Sequence, residues 1–300
     1  MRIVIALGGN ALLRRGEPMD ADRQRSNVLC AAKALAPIAR THQLIVTHGN
    51  GPQVGLLALQ AASYQEVKPY PFDILSAESE GMIGYLIEQA FASELPGREI
   101  ATLLTQVEVD LADPAFSKPT KPIGPIYSQA EADSIVAKTG WSLVTDSGGV
   151  RRAIASPIPQ RIREINVIKL LADAGVLVIC AGGGGIPVAA TPDGWRGVEA
   201  VIDKDLSAAL LAEATSAEML LLLTDVSAVW THWPMSAGRP IRTATCAELR
   251  ALELDSGSMG PKVEAACRFV ERTGYPAAIG AIDQAEAVFR GEAGTRVVAA

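Results

Sequence analysis

The sequence predicts an α/β fold, a three-layer sandwich in which helices cover both faces of a mostly parallel sheet, with an inserted lid subdomain. Short apolar runs alternate with helix-forming segments, which is typical of such a sandwich. Several of these runs, such as residues 3–7, are apolar without interruption, as expected of strands buried on both faces. The pattern breaks at 113–125, where five of the residues are Pro or Gly, and this break indicates the insertion.

The elements follow one another along the chain as strand, turn and helix. Strands are predicted at 3–7, 43–48, 98–109, 176–180, 218–226 and 277–281. Helices are predicted at 20–40, 54–63, 74–95, 163–174, 205–213 and 261–272. We see no internal repeat and no low-complexity linker, so the sequence predicts one domain over 1–300, with a lid or hairpin insertion at 113–159.

Composition excludes several classes of protein. The 300 residues are 49% hydrophobic, enough for a large core, and the net charge of −6 argues against general nucleic-acid binding. The four cysteines are far apart and form no C-x-x-C pair, which favours buried free thiols in a reducing compartment. The first apolar run is too short for a signal peptide, and glycines interrupt the longest uncharged run. We therefore expect a cytoplasmic protein with no membrane span.

Glycines or an acidic residue follow four of the predicted strands. These strand ends are Gly8, Gly9 and Asn10, then Gly49, Asn50 and Gly51, then residues 182–185, and finally Asp225. Open α/β sheets bind ligands at the carboxyl ends of their strands, and glycine allows close approach to backbone N–H groups. A tight turn explains any one of these ends alone. Together they predict a crevice rich in backbone donors, suited to an anion.

Familiar nucleotide and metal motifs are absent from the sequence. There is no P-loop, no dinucleotide fingerprint and no protein-kinase signature. The three histidines lack the spacing of zinc ligands. His48 ends a predicted strand beside Gly49, where a histidine bonded to the backbone is favoured over a catalytic base.

Lysine is sparing, with eight lysines against nineteen arginines, and four of the eight have unusual settings. Lys118 and Lys121 lie in the Pro-rich insertion, and Lys204 stands between two aspartates. Lys262 begins a helix, where the helix dipole disfavours a cation unless an anion is bound nearby. A compact ammonium suits a phosphoryl group in transfer, although a solvated helix cap would equally explain the acidic flanks of Lys204.

Six blocks of the sequence resemble the carbamate kinases of the amino-acid-kinase family. The blocks are ALGGNAL at 6–12, HGNGPQVG at 48–55, PTKPIGP at 119–125, GGGGIP at 182–187, GVEAVIDKD at 197–205 and GSMGPK at 257–262. The resemblance implies a sheet of about eight strands, a lid and a homodimer. It also implies reversible phosphoryl transfer between carbamoyl phosphate and ADP, with Mg²⁺ held mainly by the nucleotide phosphates rather than by side chains.

The resemblance also implies residue roles. Lys121 would reach in from the lid, Lys204 and Lys262 would contact the transferred phosphoryl group, and Asp203 or Asp205 would orient Lys204. The residues implied for the acyl phosphate are Gly8, Gly9, Asn10, Gly49, Asn50 and Gly51. The residues implied for ATP or ADP are Gly182, Gly183, Asp225, Trp230, Met259 and Lys262.

One segment departs from the family pattern. Residues 147–152 read SGGVRR where the family usually has GRGWRR, so Arg151 and Arg152 are kept and the tryptophan is not. Lid packing and substrate preference are the properties this departure affects. Two alternatives stay open: a sister kinase for another small carboxylate or phosphate, and a non-catalytic nucleotide-sensing module. Asn10 and the lid block argue against the first, and the three lysines argue against the second.

Overall fold

We describe a computed structural model of the chain, which covers residues 1–9, 12–14, 16–64, 66–146, 149–232, 238–254 and 259–299. The strands are β1 Arg2–Leu7, β2 Gln43–His48, β3 Ile100–Thr102, β4 Gln106–Val109, β5 Lys121–Tyr127, β6 Leu143–Asp146, β7 Gly149–Ile154, β8 Pro159–Ile162, β9 Leu177–Ile179, β10 Ile186–Thr191, β11 Gly194–Gly197, β12 Met219–Thr224, β13 Thr243–Thr245, β14 Ala277–Ala281 and β15 Thr295–Val298. The helices are α1 Ala21–Thr41, α2 Gly51–Ser63, α3 Phe72–Glu94, α4 Pro114–Ser117, α5 Gln129–Thr139, α6 Ile165–Asp173, α7 Lys204–Ala214, α8 Cys246–Arg250, α9 Met259–Thr273 and α10 Ala285–Arg290.

The main sheet has eight strands in the order β13-β15-β14-β12-β1-β2-β9-β3. Every neighbouring pair is parallel except β14 and β15. The alternating side chains of β1 enter two separate cores: Val4 and Ala6 on one face, and Ile3, Ile5 and Leu7 on the other. Each fully buried Ile or Leu contributes about 1.5–3 kcal/mol to folding. The predicted α/β/α sandwich around a mostly parallel sheet of about eight strands is confirmed.

The predicted single strand at 98–109 is wrong, because the chain leaves the main sheet in the middle of it. β3 belongs to the main sheet, whereas β4 belongs to a four-stranded sheet in the order β11-β10-β4-β8. Between them the N–H of Thr105 donates to the buried carboxyl of Glu80 at 3.1 Å. A backbone group bonded to a distant side chain has no signature in an apolar run, so the sequence pattern continues through the bend.

A third sheet, β5-β7-β6, is antiparallel and lies within the predicted insertion at 113–159. Its α5 begins with a capping box, in which Ser128 and Glu131 satisfy each other's backbone N–H groups. Under this sheet lies a separate apolar cluster formed by Val54, Phe72, Leu75, Ile123, Ile154 and Val201. The insertion therefore packs on α2 and α3 through its own small core.

Two further sequence expectations concern the cysteines and the membrane. All four cysteines lie in the described ranges and are free thiols. Cys30 is exposed, contrary to the expectation of burial, because it lies on the face of α1 opposite the apolar stripe of Val28, Ala31 and Leu35. Within the described ranges, no helix has the length and apolar character needed to cross a membrane.

Candidate active site

A hollow of about 280 Å³ lies where β1, β2 and β9 end and where α2, α7 and α9 begin. It is lined by Gly9, Gly49, Asn50, Gly51, Pro52, Lys121, Gly183, Val201, Ile202, Asp203, Lys204, Asp205, Pro261 and Lys262. Ten of these are residues that the sequence singled out. Three lysines that are distant in sequence therefore share one cavity with three of the four predicted strand ends.

The centre of the hollow is an ionic trio around Asp205. Its two carboxylate oxygens accept from Lys204 Nζ at 2.5 Å and from Lys262 Nζ at 3.2 Å. Burial lowers the pKa of Lys204, and the nearby charge of Lys262 lowers it further, while Asp205 opposes both effects. Burial would raise the pKa of Asp205, but the two ammonium groups hold it below its usual value. Two cations against one anion leave positive charge facing the cavity, as an anionic ligand requires.

Asp203 connects α7 to the insertion. It is the N-cap of α7, and its Oδ1 accepts from the backbone N–H of Asp205 at 2.9 Å and of Leu206 at 3.3 Å. Its Oδ2 accepts from Lys121 Nζ at 3.2 Å. The helix-cap interpretation is therefore correct for Asp203, and the aspartate that contacts Lys204 is Asp205.

Glycine is needed at two positions of the lining. A Cβ on Gly183 would lie 2.1 Å from Asn50 Nδ2, and the φ angle of Gly183 is +66°, so a side chain there would be both strained and obstructed. A Cβ on Gly49 would lie 3.0 Å from the backbone nitrogen of Gly9 and 3.4 Å from Cδ of Lys204. The stem of Lys204 thus reaches the cavity across a surface without side chains.

The backbone donors differ from the sequence expectation. The N–H groups of Gly8 and Gly49 donate within the sheet, to Leu223 at 2.8 Å and to Leu7 at 2.9 Å, so these two are not bare amides. The N-terminus of α2 faces the hollow instead, through Gly51, and its N-cap residue forms no side-chain capping bond. A helix N-terminus of this kind favours an anion.

His48 is fully buried beside the hollow. Its Nδ1 lies 3.0 Å from the carbonyl oxygen of Gly49, to which it can donate. Burial, with a smaller contribution from the charge of Lys204, lowers the pKa of His48 to about 4. The imidazole is therefore neutral near pH 7, in agreement with the predicted structural role.

Glu80 is a residue that the sequence reasoning missed. It is buried on α3, and its carboxyl accepts from the N–H of Gly182 at 2.8 Å and from that of Thr105 at 3.1 Å. Burial raises the pKa of Glu80 to about 8. The carboxyl anchors the glycine turn that brings Gly183 to the hollow. Its one signal in the sequence is its helical phase, because Glu80 lies in step with the buried Ile83 and Ile87.

We predict that Glu80→Gln weakens the pH dependence of stability. The folded pKa of about 8 exceeds the carboxyl reference value of 4.5, so the unfolded chain releases this proton first as pH rises. The stability that protonated Glu80 contributes is complete below its unfolded pKa. It falls as pH rises towards the folded pKa, by at most about 1.4 kcal/mol per pH unit. Urea midpoints of both proteins at several pH values measure this, and parallel curves would contradict it.

The remaining predicted residues that the structure describes do not line the hollow. Asp225 is exposed and accepts from the hydroxyl of Thr224 at 3.0 Å, and Trp230 is bridged to Pro240. Gly8 and Gly182 lie directly beside the lining residues, and Met259 is the first residue of α9. Asn10 and residues 147, 148, 257 and 258 are outside the described ranges. A nucleotide role for Asp225, Trp230 and Met259 stays a prediction.

Comparisons with known proteins agree with this fold. Residues 1–281 match the model of the Amino acid kinase family. The chain is 54% identical to the carbamate kinase of Rhizobium meliloti (98% of this chain, 92% of the relative) and 51% identical to that of Haemophilus influenzae (99% and 96%). Among solved structures, carbamate kinase from Giardia lamblia bound to AMP-PNP matches with a TM-score of 0.92 and 40% identity, covering 100% of this chain and 98% of that one.

The chain belongs to the amino acid kinase family. The relatives just described are all carbamate kinases, so the resemblance read from the six sequence blocks is confirmed.

Proposed function

We propose that the chain is a carbamate kinase, which transfers a phosphoryl group reversibly between carbamoyl phosphate and ADP to give ATP and carbamate. The observation that supports this best is the meeting of Lys121, Lys204 and Lys262 on one hollow at the carboxyl edge of the sheet. Phosphoryl transfer asks a protein chiefly for positive charge and accurate positioning. The hollow provides both.

In this mechanism each lysine has a separate task. Lys204 and Lys262, held in place by Asp205, face the phosphoryl group in transfer, where their charge stabilises the negative oxygens of the transition state. Lys121, together with the N-terminus of α2, faces the carbamoyl end. Carbamate is already an anion, so no general base is required, and the neutral, buried His48 agrees with this.

The residues present also fit the expected nucleotide and metal. Excess positive charge suits a polyphosphate, and we assign the adjoining turn at Gly182 and Gly183, with Asp225, Trp230 and Met259, to the nucleotide. The carboxylates of the hollow, Asp203 and Asp205, are both bonded to lysines. No group of three His, Cys, Asp or Glu side chains in the described ranges could hold a metal. In this proposal Mg²⁺ would bind with ATP or ADP through the nucleotide phosphates, where it would supply charge neutralisation.

Three broader proposals accompany this function. Residues 113–159 act as a lid, since they bring Lys121 to the hollow. The protein is a homodimer, for which the exposed apolar side chains of Ile74, Met82 and Tyr85 on one stripe of α3 offer a surface. It works in the cytoplasm, in keeping with its free cysteines.

A coupled assay tests the proposed function. The purified protein, supplied with ADP, Mg²⁺ and carbamoyl phosphate, should form ATP, and acetyl phosphate in place of carbamoyl phosphate should give little. Nucleotide binding without turnover would favour the sensing module. Faster turnover with acetyl phosphate would favour a sister kinase.

A further inference from the structure

Glu199 connects three parts of the molecule. It lies in the segment 197–205, which leads from β11 to Asp203 and α7. Its Oε2 accepts from the backbone N–H of Phe72 at 2.9 Å, at the start of α3, a helix whose own N-cap residue forms no side-chain bond. Its Oε1 accepts from Arg152 Nη2, on β7 of the insertion, at 2.8 Å. A carboxylate at a helix N-terminus is favoured by the helix dipole.

Arg152 contacts two aromatic rings as well as the carboxylate of Glu199. Its guanidinium carbon lies 4.0 Å from the ring centre of Trp141 and 5.1 Å from that of Phe72. The side chain is only 15% exposed. A planar guanidinium can stack on rings and bind a carboxylate at once, whereas the ammonium of lysine cannot. The insertion of this chain therefore has an aromatic support in Trp141, although the tryptophan usual in the family's segment is missing.

Lys121 lies on β5, the strand that pairs with β7, which carries Arg152. In the register of β5 and β7, Lys121 is opposite Ile154, and Arg152 is opposite Ile123, two positions along. Lys121 pairs with Asp203, which lies four residues after Glu199 on the segment 197–205. Two ion pairs thus join the insertion to one segment. The side chain of Lys121 is 38% exposed, whereas that of Arg152 is 15% exposed. Because an exposed ion pair is weak, the pair with Asp203 alone would hold Lys121 only loosely.

We propose that Arg152 and Glu199 form a latch that positions Lys121 for carbamoyl phosphate. Arg152 and Glu199 touch neither substrate, since neither lines the hollow, and they act through the placement of β5. The inference rests on the proposed function, because the role of Lys121 belongs to that proposal. It goes further by assigning specificity for one substrate to a contact outside the cavity.

Steady-state kinetics of Arg152→Ala and Glu199→Gln test the latch. We expect the KM for carbamoyl phosphate to rise roughly ten- to a hundredfold, since small misplacements of a positioning group have effects of this size. The KM for ADP should change less than about twofold, because the lysines of the Asp205 trio are not held by the insertion. Arg152→Lys should fold normally and show a smaller rise in the same direction.

A matched control and a double-mutant cycle separate a latch from a general structural role. Arg163 makes a similar contact outside the insertion, where its guanidinium carbon lies 3.5 Å from the ring centre of Trp195. Arg163→Ala should leave both KM values unchanged. In a Lys121→Ala background, Arg152→Ala should add little, because both variants remove the same contribution. Full additivity in this cycle, or equal changes in both KM values, would overturn the latch.

Amide hydrogen exchange tests the latch without depending on enzymatic turnover. Arg152→Ala should speed exchange in β5 and β7, while β1 and β2 keep the wild-type rates. If the wild-type protein does not use carbamoyl phosphate, the proposed function fails and exchange alone judges the latch. Unchanged exchange in β5 and β7 would then reject it.

Discussion

Lys204→Ala is expected to lower the rate of phosphoryl transfer by about 10²–10³-fold, the usual cost of removing one charge aimed at a transition state. The ammonium of Lys204 lies 2.5 Å from Asp205 on the wall of the hollow, and its stem rests against Gly49. Alanine removes the charge and leaves the hydrogen bond of Lys262 to Asp205 available. The fold should persist, because the side chain belongs to a cavity wall and not to either core.

Single-turnover measurement of ATP formation is the appropriate experiment, since it separates the transfer step from binding and release. Thermal unfolding of the same variant checks the fold. Lys33→Ala is a suitable control, because Lys33 is an exposed lysine on α1 that does not line the hollow. A variant that transfers at nearly the wild-type rate would remove Lys204 from the mechanism.

The sequence located six of the eight strands of the main sheet, and missed β13 and β15, because the evidence for those six is local. Short apolar runs such as 219–223 and 277–281 are too short for a typical helix and are typical of strands buried on both faces. The glycines after β1, β2 and β9 were readable for the same reason. What the sequence could not show is where a backbone N–H finds a distant partner. The bend between β3 and β4 depends on Glu80, about 25 residues away along the chain.

The charged residues show the same limit. The sequence brought attention to Asp203, Lys204 and Asp205 together, but it left open which aspartate orients the lysine. The answer depends on where α7 begins. Asp203 is the N-cap of α7 and accepts hydrogen bonds from backbone N–H groups. Asp205 lies two residues later, and each helical residue turns the chain by about 100°. Its side chain therefore points in a different direction and contacts Lys204 and Lys262. A shift of helix start by one or two residues would exchange these roles, and sequence patterns locate helix ends no better than that.

The awkward position of Lys262 was informative because it conflicted with a local rule. A lysine in the first turn of α9 opposes the helix dipole, which indicated an anionic partner. The structure supplies Asp205 as that partner at 3.2 Å, with the hollow beyond it. Local inconsistencies of this kind are expected at functional sites, and here a buried aspartate beside the hollow provides the missing interaction.

Asp205→Asn is expected to lower the free energy of unfolding by about 3–5 kcal/mol, as for other buried ion pairs that lose one partner. Asparagine keeps the shape of the side chain but leaves two ammonium groups close together without the carboxylate. Their mutual repulsion should also displace Lys204 and Lys262, so transfer should fall at least about a hundredfold. Urea unfolding and the coupled assay measure the two effects separately.

Glu264 provides the matched control, because it also receives two cations, Arg250 at 3.1 Å and Arg268 at 2.8 Å. Its side chain is 38% exposed, whereas that of Asp205 is 5% exposed. Glu264→Gln should cost less than about 1 kcal/mol, because water screens its ion pairs. If the two variants lost equal amounts of unfolding free energy, burial would not be what makes the ion pairs of Asp205 strong.

The pH dependence of the stability of the Asp205→Asn protein tests whether unbalanced charge causes its loss of stability. Without Asp205, the pKa of Lys204 should fall further below its usual value, since burial and Lys262 already lower it. The unfolded chain then holds more protons than the folded one between the two pKa values, so stability must rise with pH across that interval. The rise should be steeper than in the wild-type protein. A loss of stability that is constant over pH would point to packing, and not to unbalanced charge, as the reason that Asp205 is needed.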